Sequence, residues 1–180
     1  MQNKNQNNEY EELDQYDYLT DEYFDKVQDR YSISIGKFLI NFSLLEHELN
    51  LAIAEILHQG SHESGYVVIE KLSTYDKIDL FYKMYARLES VSDKKHKCLL
   101  NNITEGLKSI NTFRNTIIHA NWQSLSKEGY VRSKIVVDSQ EGYVKFKKVI
   151  VTPKIIRQKI NEIRKLINKI DEYNEKAFDF

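Results

Sequence analysis

Three polar residues, Arg114, Asn115 and His119, have the types and spacing to bind a phosphate and move a proton. They lie in the stretch Phe113-Arg-Asn-Thr-Ile-Ile-His-Ala-Asn-Trp122. An arginine guanidinium can hold a phosphate through two parallel hydrogen bonds. A histidine imidazole titrates near neutral pH and can therefore take or give a proton. An amide one turn before the histidine can orient the ring.

The stretch is predicted to close a long helix. Apolar residues recur at steps of three, four and seven, which places them on one buried face: Ile103, Leu107, Ile110 and Ile117. We expect Arg114, Asn115 and His119 to lie off that face. Arg114 and His119 are separated by about 140° around the axis and roughly 7.5 Å along it. One helix does not bring them together, so a second helix or a second copy of the chain must complete a site.

The pattern Arg114-Asn115-x-x-x-His119 resembles the signature of the HEPN superfamily, the small all-α domains of many prokaryotic toxins and phage-defence ribonucleases. Its position late on an amphipathic helix, with Trp122 closing that helix, strengthens the resemblance. The segment 42–49 also resembles an early helix of such domains. The resemblance covers roughly residues 30–123.

The resemblance implies a metal-independent RNA endonuclease. The RNA 2′-hydroxyl attacks the adjacent phosphate, His119 moves the proton, Arg114 binds the phosphate and Asn115 orients the ring or an RNA group. Two motifs face each other across a homodimer and pool their groups in one cleft. The expected setting is a toxin or phage-defence system, with RNA as substrate and a cognate antitoxin or defence protein as a further partner.

Several interpretations stay open beside this one. Glu46 or Glu48 is a candidate partner for Arg114 from a neighbouring helix, and ordinary surface charge is the competing interpretation, favoured for Glu48. His119 could simply stabilise a helix end through the helix dipole. The alternative function is a non-catalytic HEPN-like module that binds RNA, a nucleotide or a protein partner. Trp122 is a candidate supporting residue.

One departure from the family bears on regulation. Toxins that are inactivated by a partner nucleotidyltransferase have a tyrosine two residues after the motif histidine. This chain has Asn121 there, followed by Trp122. Control by nucleotide transfer onto that tyrosine is therefore not expected.

No metal site or cofactor is predicted. His47-Glu48 begins the zinc-protease pattern, but Leu51 stands where the second histidine is needed. Glu55-x-x-His58 is a single such pair, whereas a di-iron bundle needs two and further glutamates. Cys98 is the only cysteine, which excludes an internal disulfide and a multi-thiolate site.

Bulk composition is typical of a globular cytoplasmic protein. The chain has 180 residues, of which 41% are hydrophobic and 29% charged. No apolar run reaches the roughly 18 residues of a membrane helix, and the amino terminus does not resemble a signal peptide. The net charge is only −1, but acidic residues predominate in the first thirty residues and basic residues in the last forty. The basic hairpin and final helix could face RNA or brace a dimer.

The predicted fold is mainly α: an up-and-down, HEPN-like bundle of four or more helices with a β-hairpin insert before the last helix. We expect an acidic, tyrosine-rich and partly disordered arm over residues 1–19. The bundle is expected over 20–123, and the hairpin with its packed C-terminal helix over 124–180. Gly36 could bend or break the first helix, and Gly106 indicates close packing. Thr152 and Pro153 predict the start of the last helix.

Overall fold

The computed structural model describes residues 10–11, 21–57, 62–88, 94–126, 128–137 and 144–178. Five α-helices and three strands lie in these ranges: β1 (Tyr10–Glu11), α1 (Asp21–Leu57), α2 (His62–Ile69), α3 (Thr74–Leu88), α4 (Lys94–His119), β2 (Tyr130–Val137), β3 (Val144–Ile150) and α5 (Pro153–Phe178). The mainly α class and the antiparallel hairpin before the C-terminal helix are confirmed. None of the described helices is both long and apolar enough to cross a bilayer.

The last helix begins where its sequence predicts. Pro153 is its first residue, and the Thr152 Oγ1 accepts a hydrogen bond from the Ile155 amide at 3.2 Å. Proline fits the first helical turn because the amide it lacks would have no partner within the helix. An apolar stripe at helical spacing is buried along α5: Ile156, Ile160, Ile163, Leu166, Ile170 and Tyr173. Burying each such side chain stabilises the fold by about 1.5–3 kcal/mol.

Contacts divide the chain into two units, of which the first comprises residues 1–36 and 115–157. Its sheet has the order β1-β3-β2. The hairpin is antiparallel, with Tyr130 opposite Ile150 and a register shift between Arg132 and Lys134. Gly129 precedes β2 with a φ of 91°, a conformation that favours glycine.

The strand β1 belongs to the predicted acidic arm, and it pairs with β3 through Tyr10 opposite Lys147 and Glu11 opposite Phe146. The arm was not predicted to contribute a strand. Two residues are too short for an alternating pattern to be recognised. Apart from these two residues, the predicted arm lies outside the described residues.

The second unit comprises residues 37–114 and 158–180. Its core is rich in rings: Phe38 meets Phe113 edge-on with centroids 5.3 Å apart, and Tyr85 lies 5.1 Å from Tyr173. The predicted close packing at Gly106 is confirmed, because a Cβ there would lie 2.6 Å from Leu166 Cδ2. Gly36, at the boundary of the first unit, does not interrupt α1, so of the two predicted possibilities, a bend or a break, the break is excluded.

Candidate active site

All three motif residues lie on α4, which is helical as far as His119. Beyond it, Asn121 begins a short 3₁₀ turn over Trp122–Ser124, and its Oδ1 accepts a hydrogen bond from the Gln123 amide at 3.1 Å. The Asn121 amide also donates to the Arg132 carbonyl at 2.8 Å. Asn121 therefore serves as the N-cap of this turn. It occupies the position of the tyrosine that a nucleotidyltransferase would modify.

Trp122 has a defined role at the end of the helix. Its indole Nε1 donates to the Ile117 carbonyl at 2.9 Å. This carbonyl belongs to the last turn of α4, where backbone acceptors have no partner within the helix. The Trp122 ring also packs against Tyr31, with centroids 5.6 Å apart. Trp122 thus fixes the last turn, the one that carries His119.

Within the first unit, Asn115 and His119 are exposed and stand one turn apart on α4. Residues four apart on a helix are neighbours, so the amide and the imidazole share one surface. Ile118, beside His119, is also 42% exposed. The last two turns of α4 therefore present a histidine, an amide and an apolar side chain to solvent.

Arg114, in the second unit, corrects the expectation from sequence. It was predicted to lie off the apolar face, but it follows Ile110 by four residues and Leu107 by seven, and both of these are buried. Arg114 is only part-exposed, and its guanidinium lies over the Phe42 ring, 5.6 Å from the centroid. The planar, weakly hydrated guanidinium can pack on an aromatic face without losing its charge.

Glu46 contacts two side chains of α3. Its carboxylate accepts a hydrogen bond from Thr74 Oγ1 at 2.8 Å and lies 3.7 Å from Lys77 Nζ. The side chains of Lys77 and Glu46 are 11% and 31% exposed, so the ion pair is half-buried. Glu46 thus pairs with Lys77 of α3, and its pairing with Arg114 stays a prediction.

Phe42 connects these groups and was missed as a functional candidate. Together with Glu46 and Thr74 it lines a small pocket whose other walls are Leu45, Leu49, Ile78 and Leu107. One feature of the sequence could have indicated its role: Phe42 lies four residues before Glu46, so the two side chains are neighbours on one helix. The second unit thus holds Arg114 on an aromatic platform beside an acid–lysine pair.

A second cation lies over the ring of Phe113, which packs edge-on against Phe38. Lys159 Nζ lies 6.0 Å from the Phe113 centroid and 2.6 Å from a Glu162 carboxylate oxygen.

Within the described ranges, His, Cys, Asp and Glu side chains form no cluster of three or more that could hold a metal ion.

Comparisons with protein-family models, with curated proteins and with solved structures find no match for this chain. The resemblance to HEPN domains therefore depends on the motif residues and their placement.

Proposed function

We propose that the chain is a metal-independent RNA endonuclease of HEPN type, acting as a homodimer in a toxin or phage-defence system. The observation that carries the proposal is the motif at the end of α4, with His119 and Asn115 exposed on the last two turns. An imidazole that is open to solvent can reach a substrate. The Trp122 hydrogen bond to Ile117 supports the proposal because it fixes the backbone of the turn that presents His119.

The proposed reaction is an internal transfer of the phosphate. The 2′-oxygen forms a bond to phosphorus as the bond to the 5′-oxygen breaks. His119 of one copy takes the proton of the 2′-hydroxyl, Arg114 of the second copy holds the phosphate, and solvent water gives a proton to the leaving 5′-oxygen. The products are a 2′,3′-cyclic phosphate and a free 5′-hydroxyl. General acid–base catalysis of this kind contributes roughly 10²–10⁴-fold in rate.

Arg114 binds the phosphate oxygens and the charge that develops on them. Its contact with the Phe42 ring supports this role, because a guanidinium already restrained by packing loses less conformational freedom on binding. Asn115 orients the imidazole or holds an RNA group. Residues five apart on one helix diverge by about 140°, which is why the proposal includes a second copy.

A second candidate function is a HEPN-like module that binds RNA, a nucleotide or a protein without cutting. The part-burial of Arg114 over Phe42 favours it, because a packed arginine can be purely structural. Metal-free cleavage separates the two candidates. Purified protein and labelled RNA are incubated with and without a chelator, and the product ends are analysed. The proposal expects cyclic-phosphate ends and no effect of the chelator. Cleavage only with added metal, or no cleavage at all, contradicts it.

The dimer is tested by complementation. The Arg114→Ala and His119→Ala chains are expected to be inactive alone and to regain part of the wild-type rate when mixed, since each supplies the group that the other lacks. Light scattering at tens of micromolar, roughly the range of weak specific association, should give twice the chain mass. A monomer at that concentration, together with no recovery on mixing, would exclude a composite site.

A further inference from the structure

A basic ridge on the second unit is formed by five side chains of α1 and α5: Lys37, Asn41, Arg164, Lys165 and Asn168. The three cations are exposed. Asn41 joins the two helices, because its Oδ1 accepts a hydrogen bond from Arg164 Nε at 3.4 Å and its Nδ2 donates to the Lys37 carbonyl at 2.7 Å. Lys37 therefore lies one helical turn from the residue that holds Arg164.

The ridge offers hydrogen-bond donors and positive charge with few competing acids. Between Glu162 and Asp171, α5 carries no acidic residue, and Glu162 is itself paired with Lys159 at 2.6 Å. On α1, Glu46 is engaged by Lys77, and Glu48 stands two turns beyond Asn41. Within the part of the chain that the structure describes, none of the three ridge cations forms an ion pair.

We propose that the basic ridge binds the phosphodiester backbone of RNA. With Nε engaged by Asn41, Arg164 retains its two terminal amino groups for a bidentate contact with a phosphate. Lys165 and Lys37 supply point charges to neighbouring phosphates. The choice of RNA rests on the proposed function, whereas the affinity for phosphate rests on these side chains alone.

The composition of the ridge determines how it recognises RNA. None of its five side chains is aromatic, so it lacks the rings on which bases stack in single-strand binding proteins. Contacts to phosphates carry no sequence information. We therefore expect the ridge to add affinity that depends on salt but not on sequence, and to leave the choice of cleavage site to the motif helix.

The test measures binding separately from cleavage. In the His119→Ala chain, Lys37, Arg164 and Lys165 are replaced together by glutamine. The matched control replaces Lys71, Lys97 and Lys108, which are exposed lysines of the same unit, so the net charge changes equally. Binding of a fluorescein-labelled single-stranded RNA of mixed sequence is followed by anisotropy over a range of salt concentrations. Poly-glutamate is added as a competitor without phosphate.

The ridge variant is expected to bind RNA about 100-fold more weakly at ~0.1 M salt, because each of the three lost contacts contributes roughly fivefold. The slope of log affinity against log salt concentration should become smaller in magnitude by about 2. The control should bind nearly as the parent does. Equal losses in both variants would overturn the proposal and reduce the effect to net charge. Competition by poly-glutamate at the same charge concentration would overturn it in favour of an acidic protein partner.

Failure of the ridge and failure of the ribonuclease proposal give different results. If the wild-type chain cleaves RNA but the ridge variant binds normally, the ridge assignment is wrong and the endonuclease stands. If the ridge variant loses binding in a chain that never cleaves, the ridge stands and the endonuclease proposal fails.

Discussion

Consecutive turns of α4 carry the motif residues Arg114 and His119 in different surroundings. Arg114 lies on the apolar face of the helix, part-exposed, with its guanidinium over the ring of Phe42. His119 is exposed, and its contribution to packing is small. A substitution at Arg114 is therefore expected to change both the stability of the fold and any phosphate-binding site. A substitution at His119 is expected to remove an exposed imidazole with little effect on stability. The two residues need different controls before either can be given a catalytic role.

The largest expected effect belongs to His119→Ala. Loss of the proton-transfer group should lower RNA cleavage by roughly 10²–10⁴-fold. The melting temperature should stay within about 2 °C of wild type, because substitutions of exposed residues usually change stability by less than about 0.5 kcal/mol. Cleavage is measured by gel electrophoresis of labelled RNA, and melting by circular dichroism.

His47→Ala is the matched control, because His47 is also exposed and lies outside the motif. It should leave cleavage unchanged. Equal loss in both variants, or full activity of His119→Ala, would remove His119 from the mechanism.

Arg114 is expected to show a mixed effect. Arg114→Ala removes the proposed phosphate-binding group and the contact with Phe42. Cleavage should therefore fall by about 10²–10³-fold, and the free energy of unfolding by about 1–2 kcal/mol. Arg114→Lys keeps the charge but not the bidentate geometry, so it should recover stability better than activity. Urea unfolding and initial cleavage rates separate the two quantities.

If Arg114→Lys restores cleavage fully, a point charge is enough and the bidentate role is wrong. If both Arg114 variants lose stability but cleave normally, Arg114 has a structural role only. His119 would then be the only one of the two residues with a catalytic role.

Phe42→Leu tests whether the ring orients Arg114. The substitution should lower cleavage about tenfold, since a cation–π contact contributes roughly 0.5–2 kcal/mol. Phe38→Leu is the control: Phe38 is fully buried and stacks with Phe42 at a centroid distance of 6.3 Å. Both variants should lose stability, but Phe38→Leu should keep its activity when measured well below its melting temperature. Parallel losses of activity would show that core packing alone is being measured.

Local sequence patterns predicted much of the fold. The Thr152–Pro153 start depends on a local capping signal. The apolar stripe of α5 and the alternating strands of the hairpin depend on short-range periodicity. Gly106 also indicated close approach correctly. The first strand was missed because its two residues are fixed by a distant partner, β3, rather than by a local pattern.

The surroundings of the candidate site were harder to predict. The motif residues could be identified from their spacing in the sequence. The contacts of each side chain could not, because they depend on which helices pack beside it. Glu46 pairs with Lys77, 31 positions further along the chain, and no local pattern specifies that contact. The placement of Arg114 is a different case. The helical spacing from Leu107 and Ile110 already indicated that Arg114 lies on the apolar face, although it was predicted to lie off that face. For a long amphipathic side chain such as arginine, periodicity is the better guide, because the stem and the planar head can both pack.

The smallest expected effect concerns the pair Glu46–Lys77, which lies beside Phe42 but on the α3 side. A double-mutant cycle with Glu46→Gln and Lys77→Met should give a coupling energy of roughly 0.5–1 kcal/mol, because the pair is only half-buried and 3.7 Å long. Glutamine keeps an acceptor for the Thr74 hydroxyl, and methionine keeps most of the lysine's volume, so neither change opens a cavity. Cleavage should remain within about twofold of wild type in both single variants, since Thr74 and Lys77 hold Glu46 towards α3. A loss of cleavage in Glu46→Gln as large as that in Arg114→Lys would contradict this expectation. It would mean that the acid and the arginine act together when RNA is bound, and that the Phe42 platform transmits the effect.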